Sequence, residues 1–423
     1  MLFLGPFFFL IYGFCNWLTA RRSGVGTFYF EWERAIPFLP LMIVPYMSID
    51  LFFAGSPFLC RTREEIRTLA RRIVFAILVS AAGFLLFPLQ FGFPRPAVSG
   101  LSGSLFALLT SFDQPYNQAP SLHISLRSII WSVYWRYTAG PLRAVLSVWF
   151  LLIGVSVLFT YQHHVVDVVS GQLVSLLAFY WFPGKRPEAA RSTPNRTLAV
   201  AYGAAAALLW ATAWGLRPIG LFLGWPALAL TLLAAAYLRG STALFGKSQG
   251  RLARSASAVL APYLAGAWIS FNHYRRLDRP YDRVAVGVIL GRRLNERESE
   301  EAARAGVTAV LDLTAEYPES RRFRSLPYRN VQILDLTVPS LEQLDEAVDF
   351  VRAEAGRGTV YVHCALGYSR SACVVAAYLL AEGQAGTVEE AVARVQAARP
   401  KVVMSPNVMA ALRQYQRRRA IIA

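Results

Sequence analysis

Val362-His363-Cys364-Ala365-Leu366-Gly367-Tyr368-Ser369-Arg370-Ser371 is the stretch on which the reading of the C-terminal half of this chain turns. A short apolar run, Thr359–His363, leads into it as a strand, and a helical pattern runs from Ser371 to Glu382. A strand, a tight loop and a helix start gather backbone N–H groups around an anion, and the helix dipole adds to their field. Cys364 sits in that cradle, so its thiol is expected to ionise below the free-cysteine value of about 8.5. A thiolate is a competent nucleophile towards phosphorus. Arg370 follows six positions later and offers a planar fork to two phosphate oxygens. Gly367 permits the turn, and Ser371 can hydrogen-bond the sulfur and help it leave.

Working outward, Val284–Leu290, Val307–Asp312 and Tyr328–Leu334 read as short strands, and Leu341–Ala355 as a helix. The His-Cys-x5-Arg-Ser pattern resembles the dual-specificity branch of the protein tyrosine phosphatase family, over roughly residues 279–420. The resemblance implies a soluble α/β domain with a central, mostly parallel sheet, and phosphate-monoester hydrolysis through a phosphocysteine. It also implies a general acid on a separate loop. Asp335, ahead of the helix Leu341–Ala355, matches that position better than Asp312 in the strand region. Ala365, Leu366, Tyr368 and Ser369 bring no positive charge to the loop, which argues against a polyphosphorylated headgroup.

Upstream the texture changes. The chain is 55% hydrophobic and 16% charged, against about 25% charge in soluble domains. Apolar runs near the roughly 20 residues a bilayer requires occur at Met1–Ala20, Ile36–Gly55, Ile73–Phe93, Ile124–Gly140, Leu142–Thr160, Val165–Phe182, Thr197–Gly215 and Pro218–Leu238. The first has no basic leader and no small-x-small cleavage pattern, so a retained helix is expected. The net charge of +17 does not point to nucleic acid, because the basic residues follow a topology pattern. Arg61, Arg63, Arg67, Arg71 and Arg72 fall between two runs, and Lys185, Arg186, Arg191 and Arg196 between two others. The positive-inside rule then puts these segments and the C-terminal domain in the cytoplasm, and the stretches at 94–123 and 161–164 outside. Arg21, Arg22 and Arg34 run against that rule. Cys15, Cys60, Cys364 and Cys373 include no close-spaced metal-ligand pair and suggest no disulfide framework; no metal or cofactor is expected.

Three of the five histidines cluster at the expected outer helix ends. Pro120-Ser121-Leu122-His123 opens one span, and Gln162-His163-His164-Val165-Val166-Asp167 opens another. His163 and Asp167 are four apart, a helical-face spacing that lets the carboxylate orient the imidazole. Ionisable groups at membrane depth are functional candidates by default. These pieces, with Arg95-Pro96, resemble the type 2 phosphatidic acid phosphatase (PAP2) superfamily, inositol-phosphotransferase-like branch, across residues 36–182. The resemblance implies a multi-pass helical bundle with His163 as nucleophile, Asp167 aligning it, His123 as acid, and Arg95 and Ser121 near the phosphate. Pro88 and Val157 stand where the wider family has cations, which favours a diester or transfer reaction over bare monoester hydrolysis. Arg127, one turn after His123, is a candidate substrate contact or a partner for a buried acid. His164 is expected to be structural and His273 to lie on the surface.

The expected organisation is a PAP2-like transmembrane domain at 1–182, a loop with two further spans at 183–238, a basic linker at 239–278 and the phosphatase domain at 279–423. Within the linker, Ala261–Phe271 reads either as an interfacial helix or as a packing helix. The expected function is a bifunctional phosphatase or phosphotransferase of phospholipid metabolism in a bacterial inner membrane. Its partners would be the bilayer and a phospholipid or lipid-linked phosphate. The alternatives are a membrane-tethered phosphoprotein phosphatase and a membrane half that senses lipid without turnover.

Overall fold

The computed structural model describes residues 3–184, 192–216 and 219–422. The chain divides into two compact units between residues 185 and 186.

In the first unit the helices are α1 (Leu4–Thr19), α2 (Ile43–Leu59), α3 (Arg63–Leu86), α4 (Gly100–Thr110), α5 (Leu122–Tyr137), α6 (Gly140–Phe159) and α7 (Val165–Trp181). Helix α3 starts at a capping box: Thr62 Oγ1 accepts from Glu65 N, and Glu65 reaches back to Thr62 N. That box moves the expected Ile73–Phe93 span towards the N-terminus, and the helix stops short of Pro88, which disfavours helical geometry before it. Arg63, Arg67, Arg71 and Arg72 therefore ride on the first turns of α3 instead of sharing a loop. Arg72 donates from Nε and Nη2 to Phe182 O at 2.9 and 2.7 Å, which ties α3 to the end of α7. Of the second basic group, Lys185, Arg186 and Arg191 lie outside the described residues.

The expected span Ile36–Gly55 is displaced to α2, because Pro37 lies in irregular chain and Pro40 opens a short 3-10 turn, Pro40–Met42, ahead of the helix. The expected loop at 94–123 contains α4, whose Gly-Leu-Ser-Gly-Ser start reads as loop in sequence. Arg22, against the charge rule, donates from Nη1 to Leu85 O at 2.7 Å, where α3 ends with unpaired carbonyls. Among the described residues, the stretches long and apolar enough to cross a bilayer are Pro40–Leu59, Arg63–Leu86, Gly140–Phe159 and Arg196–Gly215; Leu4–Thr19, Gly100–Thr110 and Val165–Trp181 are apolar but shorter. Leu142, Val145, Val148 and Leu151 are exposed along α6, an apolar stripe suited to lipid.

The second unit opens with α8 (Arg196–Gly215) and α9 (Gly224–Arg239), which pack as a hairpin; Pro218, the start of the last expected span, lies outside the described residues. The order continues with α10 (Arg254–Val259), α11 (Ala261–Tyr274), β1 (Tyr281–Ala285), β2 (Val288–Arg292), α12 (Glu296–Arg304), β3 (Val307–Thr314), α13 (Arg321–Arg324) and β4 (Tyr328–Ile333). Then come α14 (Leu341–Ala355), β5 (Thr359–Cys364), α15 (Arg370–Ala381), α16 (Val388–Ala398) and α17 (Pro406–Ile422).

The sheet runs β1-β2-β5-β3-β4, parallel except for β1 against β2. The expected strand Val284–Leu290 is thus two strands. Gly287, at φ +74°, makes the turn between them, and a Cβ there would meet Ala355 O at 2.8 Å. Central β5 is buried on both faces, and alternation sorts its residues. Val360, Val362 and Cys364 join the core formed with α14–α17, whereas Tyr361 packs with Val310, Phe323 and Ala302 on the other side. The alternation therefore points the Cys364 side chain towards the start of α15.

Candidate active sites

The cradle forms where β5 stops. Residues 365–369 turn the chain into α15, with Gly367 at φ +76°. A Cβ on Gly367 would lie 2.6 Å from the carbonyl atoms of Gly291, so only glycine fits. The Cys364 sulfur is buried, and it accepts from Gly367 N at 3.3 Å and from Ser371 Oγ at 3.2 Å. Burial alone would push the thiol up. The Arg370 guanidinium, the Ser371 hydroxyl and the amides of Ser371 and Gly367 outweigh it and hold the thiol below its ordinary value. Cys373 on α15 has burial and nothing to offset it, and its thiol is pushed up to about 12.

Arg370 is fixed from two sides. Its Nη2 and Nη1 meet Glu316 Oε1 and Oε2 at 2.7 and 3.1 Å, a fork-to-fork pair, and Nη1 also donates to Ile333 O at 2.9 Å. Nη2 further contacts Asp335 Oδ1 at 2.8 Å. Asp335 is thus joined to the cradle, although nearly half of its side-chain surface is open, at 47%. Its desolvation in the cleft pushes the carboxyl up, Arg370 pulls it down and Glu316 pushes it up again; the net direction is up. Asp312, the rival acid, is buried elsewhere: it pairs with Lys247 Nζ at 2.6 Å and accepts from Tyr328 OH at 2.7 Å. Burial opposes its ionisation, but Lys247 and His363 prevail and draw it down to about 2. A carboxyl so strongly ionised makes a poor proton donor.

Two supports of this site escape motif reading. Glu316 follows β3 with nothing in sequence to link it to Arg370. Arg399, just after α16, is fully buried and donates from Nε to Gly367 O at 3.1 Å and from Nη2 to Leu366 O at 3.2 Å, while pairing with Asp278 and Asp282. It takes up the loop carbonyls, so that the loop amides are free to face the sulfur. The linker helix α11 backs the same loop: Phe271 and Ala267 pack with Tyr317, Ala365 and Leu366, and Tyr317 OH donates to Ala267 O at 2.8 Å. Trp268 and Ile269 on α11 remain exposed, so the helix packs on one face and is free on the other. His273 is exposed.

In the first unit, His163 precedes α7 instead of lying on it, and its Nδ1 stands 3.5 Å from Asp167 Oδ2 without forming a hydrogen bond. Asp167 Oδ2 accepts from His164 N at 2.8 Å, and Asp167 O accepts from Ser121 N at 3.0 Å, which joins the two histidine segments. A cavity of about 310 Å³ is bordered by both Arg95 and His163, and one of about 140 Å³ by both His123 and His163. Arg95 Nε, His123 Nε2 and His163 Nδ1 are buried without a hydrogen-bond partner among the described residues, and such groups call for a ligand or water. Asp113, which sequence reading passed over, borders both cavities and accepts from Tyr12 OH at 2.9 Å.

Two expectations need correction here. Arg127 turns away from these cavities: its Nε donates to Phe150 O at 2.8 Å on α6, and it touches neither substrate space nor a buried acid. The Ser121 hydroxyl is fully buried and accepts from Ile124 N at 3.4 Å, capping α5, so it does not face a phosphate. His164 is held by Glu33 at 3.1 Å and by Gly92 N at 3.1 Å, between aromatic rings. Val157 is buried in the helix core.

A thiolate cradled by amides, a fork-held arginine and a carboxyl at its side define a cysteine-dependent phosphatase. Residues 288–418 match the family model of the dual specificity phosphatase catalytic domain, and residues 44–181 match that of the PAP2 superfamily; the chain is a fusion of the two. Human protein phosphatase Slingshot homolog 3 is 34% identical over 140 residues, which is 32% of this chain and 20% of that one. Dual specificity protein phosphatase 19 of Mus musculus is 30% identical over 143 residues, 33% and 64% of the two chains. Phosphatidylglycerophosphate phosphatase PTPMT1 of Arabidopsis thaliana is 32% identical over 146 residues, 32% and 42%. The chain thus covers less than two thirds of each of these relatives. Residues 288–418 thus carry a dual specificity phosphatase catalytic domain, and the apolar helices and PAP2 region make the chain a membrane protein.

Proposed function

We propose a bifunctional enzyme of phospholipid metabolism in which the cysteine site hydrolyses a lipid phosphate monoester. The observation that carries this reading is the Cys364–Arg370–Asp335 constellation in one compact unit with the apolar hairpin α8–α9. The PTPMT1 relatives are phosphatidylglycerophosphate phosphatases, which supports a lipid substrate, as does a cradle whose loop side chains add no charge.

Cys364 thiolate attacks phosphorus while Arg370, its Nη2 released by Asp335, binds two of its oxygens through Nε and Nη2. The ester P–O bond breaks as Asp335 gives its proton to the leaving oxygen, releasing the alcohol and leaving a phosphocysteine. Asp335, now a carboxylate, takes a proton from water as that water attacks phosphorus. Inorganic phosphate departs, and Ser371 steadies the returning thiolate.

The membrane half would use His163 as nucleophile aligned by Asp167, His123 as proton donor and Arg95 as phosphate ligand, to cleave or transfer a lipid-linked phosphoryl group. The unpartnered nitrogens of Arg95, His123 and His163 support it. The positive-inside pattern supports a multi-pass inner-membrane protein with the cysteine domain in the cytoplasm and the histidine site facing outward. Domain limits of 1–182, 183–238, 239–278 and 279–423 belong to the same reading.

Lipidomics on cells expressing wild type, Cys364→Ser and His163→Ala tests both halves. Distinct species should accumulate in each variant. An unchanged lipid profile in Cys364→Ser, with phosphoproteins accumulating instead, would replace the lipid substrate by a protein one. That second reading is favoured by the Slingshot and dual specificity relatives, which are protein phosphatases.

A further inference from the structure

Three hydrogen bonds join the α8–α9 hairpin and its approach to three consecutive residues of the acid loop. Ser192 Oγ accepts from Leu334 N at 3.1 Å, Tyr237 OH donates to Asp335 O at 3.1 Å, and Asn195 Nδ2 donates to Leu336 O at 3.1 Å. The anchors are themselves tied together, since Asn195 N donates to Tyr237 O and Ser192 N to Gly240 O. Asn195 also caps α8 through Leu198 N.

Leu334 and Thr337 are buried and Val338 packs on the core, but the middle of the loop is not held by packing. Leu336 is 69% exposed and sits at φ +54°, a conformation that costs a residue with a Cβ about 1–2 kcal/mol. The outer flank of the loop, from Leu336 to Leu341, borders a cavity of about 750 Å³. On the inner side, Tyr237 is buried, its ring lies 5.4 Å from Tyr202, and Tyr263 of α11 lies 6.2 Å from Tyr202. All three phenols are within electrostatic reach of Asp335.

We infer that the apolar hairpin is part of the cysteine site: Tyr237, Asn195 and Ser192 are positioning residues that hold Asp335 beside Arg370, and proton delivery to the leaving oxygen depends on them. The inference rests on the reading of Asp335 as the acid. A loop kept in a strained conformation by hydrogen bonds drifts when they are removed, and the acid then misses the leaving oxygen.

The test uses the full chain in detergent micelles with two soluble substrates. One is an aryl phosphate with an activated leaving group, which needs no protonation; the other is phenyl phosphate, which does. Asp335→Asn should lower kcat for phenyl phosphate by about 100-fold or more and spare the activated ester. Tyr237→Phe combined with Asn195→Ser, where serine still caps α8 but is too short to reach Leu336, should reproduce that selective loss at about 10-fold or more. It should also flatten the descending limb of the pH–rate profile as Asp335→Asn does. An equal fall on both substrates, or no fall, overturns the inference; Tyr237→Phe alone, which deletes only a hydroxyl, guards against misfolding of the double variant. If Asp335→Asn itself shows no leaving-group dependence, it is the acid reading that has failed.

Discussion

Two side chains with opposed shifts set the pH behaviour of the cysteine site. The Cys364 thiol lies below its ordinary value and the Asp335 carboxyl above its own. Activity requires the first ionised and the second protonated. The ascending limb of kcat/KM should therefore start below the thiol range, and the descending limb should sit above the usual carboxylate range. Glu316→Gln removes a charge that pushes Asp335 up, so it should move the descending limb to lower pH, as a pH–rate profile will register. Arg399→Met should destabilise the domain by about 3–5 kcal/mol, because it strands two carboxylates and the loop carbonyls; thermal unfolding measures this. Cys364, Arg370 and Ser371 were legible because their chemistry is packed into one loop. Glu316 and Arg399 were not, because they reach that loop only through the fold: Glu316 follows a neighbouring strand and Arg399 lies past the next helix.

At the scale of elements, the β5–loop–α15 unit follows from the local sequence almost alone. Gly367→Ala should cost at least about 100-fold in kcat, since a shift near 1 Å in the cradle is enough; enzyme assay together with an unfolding curve separates this from collapse. The helices and strands of the cysteine domain were readable wherever apolar period and caps agreed, as at Leu341–Ala355, where Ser340 and Gln343 form a capping box. The failures had local causes. A glycine turn at Gly287 split one apolar run into two antiparallel strands, the Thr62–Glu65 box drew α3 into a run of arginines, and a glycine- and serine-rich start disguised α4. In the histidine unit, the residue types singled out Arg95, His123 and His163, which border shared cavities, whereas Arg127, chosen by helical spacing, gives its guanidinium to a backbone carbonyl of α6.

At the scale of the whole molecule, the linker is a structural strut. Lys247 is buried and gives its ammonium protons to Asp312 Oδ2, Thr314 O and Thr314 Oγ1. Lys247→Met should lower stability by about 3–5 kcal/mol, since the buried carboxylate of Asp312 would lose its ammonium partner. The carboxyl of Asp312 is drawn down to about 2, against about 3.9 when unfolded. The stabilisation is complete above about pH 4 and drains as pH falls towards 2, so the melting temperature of the domain should fall across that acid window. The fusion of two domains was legible from the break in hydropathy and two sets of motifs, whereas the hydrogen bonds from the hairpin to the acid loop were not, because nothing in an alanine- and leucine-rich helix announces a hydrogen bond to a distant loop.

The attachment of the acid loop to an apolar hairpin carries a kinetic consequence for a substrate that resides in lipid. Such an enzyme samples molecules in two dimensions, so its rate follows their mole fraction in the surface and not their bulk molarity. Adding inert detergent at constant total substrate should slow turnover in proportion to the dilution of the interface, while the same addition should leave the cleavage of a freely diffusing aryl phosphate unchanged.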